Sequence, residues 1–238
     1  MAPPEGVAGI AEHLEAVRRR IIAAAQRAGR SPSDITLIAV SKTVGPDRVR
    51  AAAAAGQLSF GENRVQEGLS KVEALPDLAL EWHLIGHLQS NKAKRAAGSF
   101  AWIQSVDSIE LLQRLDRGAA EAGRRPCILI QVDLAHETTK HGAEETAATS
   151  LVAAAAQAAS LDLRGLMIVP PNPNNAEDSR PWFRRLRELR DRLVASGLPA
   201  ASMAELSMGM SHDFEVAIEE GATMIRVGSA IFGDRPAV

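Results

Sequence analysis

The chain has 238 residues, 46% of them apolar and 24% charged, with a formal net charge of −2. Those proportions are ordinary for a globular protein and leave no general electrostatic pull toward nucleic acid or an anionic membrane. A single cysteine, Cys127, excludes a disulfide framework or a cysteine-rich metal site, and the longest apolar runs are far too short to span a bilayer.

The first residues, "MAPPEGVAGI", carry Glu5 and lack the basic-then-apolar pattern of a signal peptide, so a cytoplasmic, reducing location is expected. Helical spacing runs from about residue 7 to residue 28 and includes "AVRRRI", read as an exposed helix face. Strand-like runs then follow at 36–41, 58–60, 82–85, 102–105, 127–132, 164–169, 205–208 and 224–227. Between them lie helical patterns at 47–55, 63–74, 108–122, 144–158, 180–195 and 212–220. Strands alternating with helices imply right-handed crossovers and a parallel sheet. Eight of them in about 200 residues predict an α/β fold, a (β/α)₈ TIM barrel with an extra N-terminal helix. No linker divides the chain, so residues 1–238 are expected to form one domain. The run "RRLRELRDR" mixes acids and bases at helical spacing and reads as a solvated outer face rather than a nucleic-acid surface. Without a sustained heptad or a large apolar stripe, a monomer is expected. Cys127, inside "CILIQV", reads as a small core residue.

In such a barrel the loops after the strands build the site, and polar, glycine-rich segments fall there. They are "GENRVQEG" after the second strand, "GHLQSNK" after the third, "DLAHETTKHG" after the fifth, "SMGMSHD" after the seventh and "RVGSAIFG" after the eighth. Ser211 is a candidate N-cap for a helix starting near His212, with an anion site formed by the amides behind it. Gly228 and Ser229 open a second turn suited to close backbone approach by a phosphate. Two helix caps without a ligand remain the alternative. Arg226 shares a strand face with Met224 and Gly228 and requires a partner, either a neighbouring carboxylate or a bound anion. Lys42 ends the strand that contains Ile38 and Val40. There it is either a surface lysine or a partly dehydrated amine able to attack a carbonyl. A lysine, a phosphate cup and an arginine at one barrel mouth point to pyridoxal 5′-phosphate held as a Schiff base.

The segments "AVSKT", "FGENRVQE", "EWHLIGHLQSNK", "SVDS", "GLMIVPP", "LSMGMSHDFEVAI" and "GATMIRVGSAIFG" resemble those of the pyridoxal phosphate homeostasis proteins, single-domain barrels related to the N-terminal domain of alanine racemase. The resemblance runs in order from about residue 39 to residue 233. It implies that Lys42 carries the cofactor and that Ser207, Ser211, Gly228 and Ser229 hold its phosphate. Arg226 is implied to face the pyridine nitrogen or the phosphate, with Asn63 and His87 near the cofactor. The activity implied is that of a carrier or regulator of vitamin B6 pools, with apo-enzymes that use pyridoxal phosphate as recipients, rather than a settled catalytic reaction. A racemase needs two bases, and the relatives supply a tyrosine from a partner subunit. This sequence holds no tyrosine and ends five residues after the last barrel motif, so a racemase site of that kind is not expected. His87, His136, His141 or His212 would have to substitute. A pyridoxal-dependent racemase and a barrel aldolase using Lys42 directly stay open as alternatives.

Overall fold

The computed structural model describes residues 7, 9–135, 141–172 and 174–233. Its first element, α1 (Ile10–Arg27), buries Ile10, Leu14, Val17, Ile21, Ala24 and Ala25. That three-and-four spacing gathers one apolar stripe on the inner side of the helix. Strands and helices then alternate through β1 (Thr36–Val40), α2 (Pro46–Ala54), β2 (Ser59–Glu62), α3 (Val65–Ala74), β3 (Glu81–Leu84), α4 (Ala93–Ser99), β4 (Trp102–Val106), α5 (Ile109–Glu121) and β5 (Cys127–Asp133). The second half runs β6 (Ala143–Glu144), α6 (Glu145–Ala155), β7 (Asp162–Met167), α7 (Arg180–Ala195), β8 (Glu205–Ser207), α8 (Phe214–Glu219), β9 (Met224–Val227) and α9 (Ser229–Phe232).

All strand pairs are parallel, and β1 lies between β2 and β9. Pairing of β4 with β5 closes the ring β1-β2-β3-β4-β5-β7-β8-β9. The two-residue β6 sits beside β5, outside the ring. This is the (β/α)₈ barrel expected from the sequence, with α1 as the extra helix. Side chains alternate as a barrel requires. Ile38, Trp102, Leu129, Met167 and Met224 form an interior cluster of their own. Their neighbours Ala39, Ile103, Ile130, Leu166 and Ile225 join the larger core beneath the helices.

The stripe of α1 packs against α2, α8 and α9. Its polar edge is tied down as well: Arg20 makes two 2.8 Å hydrogen bonds to Glu215, and Arg27 reaches Glu219 at 2.9 Å. The arginine run of α7 is likewise more engaged than a solvated face. Arg184 and Arg187 pair with Glu220, while Arg185 and Arg192 pair with Glu145. Partly exposed pairs of this kind contribute about 0–1 kcal/mol each, so their effect is to fix orientation. The second strand starts and ends later than the 58–60 expected, because Leu58 is exposed and the buried run continues through Glu62. The short helices α4 and α9 were not anticipated. Among the described residues no helix is long and apolar enough to cross a membrane.

Candidate functional site

A cavity of about 500 Å³ opens at the C-terminal ends of β1, β2, β8 and β9. Six of the eight expected site residues line it: Lys42, Asn63, Ser211, Arg226, Gly228 and Ser229. Val40, Ile85, Val169 and Phe232 supply an apolar wall. Lys42, Arg48, His212 and Arg226 are its basic residues, and no described carboxylate lines it. Such a lining favours an anion with an apolar body.

Lys42 lies two residues beyond the end of β1 and occupies the second position of a turn closed by a 2.9 Å bond from the Val44 amide to the Ser41 carbonyl. Thr43, the third residue of that turn, has φ 65° and is the one non-glycine among the described residues with positive φ. For a β-branched residue this conformation is strained and persists only where its surroundings impose it. The surroundings are a buried ionic cluster. The Lys71 ammonium on α3 donates to the Ser41 carbonyl at 2.5 Å, to Glu62 at 2.6 Å and to Glu67 at 2.8 Å. The Ser41 hydroxyl donates to Glu62, and the Thr43 amide donates to Glu67, each at 2.5 Å. Residues 41 and 43, on either side of Lys42, are thus pinned to one cluster. Burial pushes the Glu62 carboxyl above its ordinary range, and the hydrogen bond from Lys71 opposes that rise. Sequence reasoning passed over Glu62, Glu67 and Lys71. The available signal was a carboxylate at a helix-facing strand position, two residues after Phe60, with a Glu67–Lys71 pair one turn apart on the next helix.

Arg226 points into the barrel level with Ile38. Its guanidinium donates to the Ser207 hydroxyl at 2.6 Å and to the Ile168 carbonyl at 2.8 Å. No carboxylate stands among its hydrogen-bond partners in the described residues, so the neighbouring-strand ion pair that the sequence allowed is not what holds it. Burial pushes its pKa down to about 10, partly offset by Asp213, and the group stays cationic at neutral pH. Ser207 stands behind Arg226 rather than in the cavity wall. Its hydroxyl passes the chain on to Gln104 at 2.6 Å, and Gln104 in turn meets His83 at 3.0 Å. The Ser207 hydroxyl, expected at the phosphate, thus supports Arg226 from below.

Ser211 is not a helix cap. Helix α8 begins three residues later, and Asp213 accepts from the Met210 amide at 2.7 Å and from the Ser179 hydroxyl at 2.7 Å. The Ser211 hydroxyl instead meets the amides of Gly228 and Ala230 at 3.3 and 3.5 Å. These long contacts bring the β8 and β9 loops together at one point of the cavity. Arg48, also missed in the sequence, reaches this corner beside Phe232, and its Nε is buried without a hydrogen-bond partner.

Of the candidate bases, His212 alone among the described residues lines the cavity. His87 and His141 stack on each other at 3.5 Å between ring centroids, outside the cavity lining, and His136 lies outside the described residues. Cys127 is half-buried against the barrel interior. Burial, with Asp162 adding to it, pushes its thiol up to about 11, which suits a packing residue and not a nucleophile.

Comparison with known proteins gives the class first: the alanine racemase N-terminal domain family matches residues 13–236. A finer match follows. The pyridoxal phosphate homeostasis protein of Aquifex aeolicus is 45% identical over 94% of this chain and 97% of its own length. That of Escherichia coli K12 is 43% identical over 95% of this chain and 97% of its own length. The solved structure of PipY from Synechococcus elongatus PCC7942 with PLP bound superposes with a TM-score of 0.83 at 41% identity, covering 94% of this chain and all of that one. The chain belongs to the pyridoxal phosphate homeostasis protein family.

Proposed function

We propose that the protein binds pyridoxal 5′-phosphate in the cavity at the barrel mouth and holds it as a Schiff base on Lys42. Its role is that of an intracellular carrier or regulator of the cofactor pool, delivering to apo-enzymes that require it. The observation that carries this reading is the cavity itself, where Lys42, Arg48 and Arg226 line one space at the barrel mouth. The unpartnered Arg48 Nε and the buried Arg226 charge both suit a bound dianion. The bound cofactor supplies an electrophilic aldehyde carbon. Lys42 would be the amine that holds that carbon, Ser211 with the Gly228 turn would hold phosphate oxygens, and Asn63 would meet the cofactor from the β2 side. Arg226, locked by Ser207 and Ile168, keeps a fixed positive charge beside the cofactor. If it faces the pyridine nitrogen, it disfavours that nitrogen's protonation and hence fast carbanion chemistry. The solved relative with PLP bound supports the ligand, and the relatives' shared name supports the role.

A racemase would require a second base, and His212 is the one described histidine in the cavity. Two assays separate the readings. Loaded protein is mixed with an apo-enzyme and reactivation is followed, and exchange of an amino acid's α-proton with solvent is measured in parallel. Transfer without α-proton exchange is the expected result. Exchange at enzymic rates, abolished in Lys42→Ala, would replace the carrier with a catalyst.

A further inference from the structure

We propose that His87, Asp107 and His141 form a binding site for a divalent transition-metal ion of the zinc type, on the barrel rim and distinct from the Lys42 cavity. One donor atom from each residue lies within 4.8 Å of the other two. The three residues follow β3, β4 and β5, neighbouring strands in the ring. None of the three lines the cavity.

The backbone that presents these side chains is held from beneath. Gly86 packs so closely on β2's loop that an added Cβ would lie 2.3 Å from the Asn63 carbonyl oxygen. Its own carbonyl accepts from the Ser105 hydroxyl of β4 at 2.7 Å. His87 therefore leaves a fixed point. Asp107 follows the last residue of β4 directly. The His141 carbonyl accepts from Gln131 of β5 at 2.5 Å. Gly142, at φ 145°, lies where a Cβ would come 2.7 Å from the Asp133 amide nitrogen. Rigid strand ends thus bear three partly or fully exposed side chains, the arrangement that gives a metal site both pre-organisation and room to close.

The side chains are unfinished as they stand. The His87 Nδ1 lies 3.6 Å from Asp107 Oδ2, beyond a normal hydrogen bond. A tetrahedral ion with ligands at about 2.0–2.2 Å separates its donors by about 3.3 Å. Rotation about χ1 and χ2 of exposed histidines covers the remaining distance. Two imidazoles and one carboxylate match the borderline-soft ions Zn²⁺, Co²⁺ and Ni²⁺, whereas Mg²⁺ and Ca²⁺ seek oxygen-only shells. Three protein donors leave a fourth position for water.

The test is calorimetric titration of the cofactor-free full-length protein with ZnCl₂, together with the visible spectrum of its Co²⁺ form. Wild type is expected to bind one ion per chain with a dissociation constant below about 10 μM and to give the intense bands of tetrahedral Co²⁺. His87→Ala and His141→Ala should each weaken binding at least about tenfold, the loss seen even when an outer-sphere partner is removed. Thermal melts identical to wild type in the absence of metal would show that both variants fold. Micromolar binding that survives in the His87→Ala/His141→Ala double variant would overturn the proposal, as would no binding by wild type. Because no pyridoxal phosphate is present, the outcome does not depend on the role of Lys42.

Discussion

Replacing Lys71 by Met removes a buried charge while keeping most of the side chain's length. The lysine is 5% exposed and makes three hydrogen bonds of 2.5 to 2.8 Å, two of them to carboxylates. Breaking a buried pair by deleting one partner costs about 3–5 kcal/mol, a large share of the roughly 5–15 kcal/mol that stabilises a domain. The loss depends on pH in a defined direction. Glu62 already has a folded pKa above its ordinary 4.5, because of burial. Without Lys71 that value rises further, and a neutral carboxyl is comfortable where a carboxylate is not. The raised group's contribution to stability is therefore fully present below pH 4.5 and lost as pH rises through the folded value. Urea melts of cofactor-free Lys71→Met should show the full deficit at pH 8 and a much smaller one near pH 5. Adding Glu62→Leu should recover most of it, since no buried charge then lacks its partner. A deficit below about 1 kcal/mol at pH 8, a deficit equal at both pH values, or a double variant as weak as the single one would show that Lys71 does not neutralise a buried Glu62.

Thr43→Gly should be neutral or stabilising, although glycine usually loosens a turn. Relief of left-handed strain is worth about 1–2 kcal/mol, against about 0.5–1 kcal/mol of added chain entropy. Thermal melts check it, and a loss above about 2 kcal/mol would show that φ 65° is not strained here. Arg226→Leu should weaken pyridoxal phosphate binding by about ten- to hundredfold, the range of one charge-assisted hydrogen bond at about 1.5–3 kcal/mol. Equilibrium dialysis reads it, and unchanged affinity would remove Arg226 from the cofactor's contacts. Leu14→Ala, at the fully buried centre of the α1 stripe, should cost about 2–5 kcal/mol. A loss under about 1 kcal/mol would show that α1 merely rests on the barrel.

The strand–helix rhythm carried the architecture because barrel strands are short apolar runs set off by polar loops. β9 and α7 fall on the expected residues 224–227 and 180–195. Where the sequence misled, a local signal competed with a tertiary one. Ser211 looks like a cap, but the helix starts at Phe214 and the Ser211 hydroxyl turns to the Gly228 and Ala230 amides instead. For Ser207, nothing local announces the hydrogen bonds its hydroxyl makes with Arg226 and Gln104. The cluster under Lys42 was invisible for a different reason. Glu62, Glu67 and Lys71 are residue types usually exposed, and only the folded contact between β2 and α3 shows that they meet. Arg48 went unnoticed because nothing in "GPDRVR" distinguishes an arginine that turns into the cavity from one that faces water.

Borohydride trapping tests most directly whether Lys42 is the covalent anchor. Protein incubated with pyridoxal 5′-phosphate is reduced with borohydride, digested and mapped by mass spectrometry, with Lys42→Ala alongside. A phosphopyridoxyl adduct on Lys42 in wild type, formed at one equivalent per chain and absent from the variant, is the expected result. Equal labelling of the variant, or an adduct on Lys71 or Lys92 instead, would contradict it.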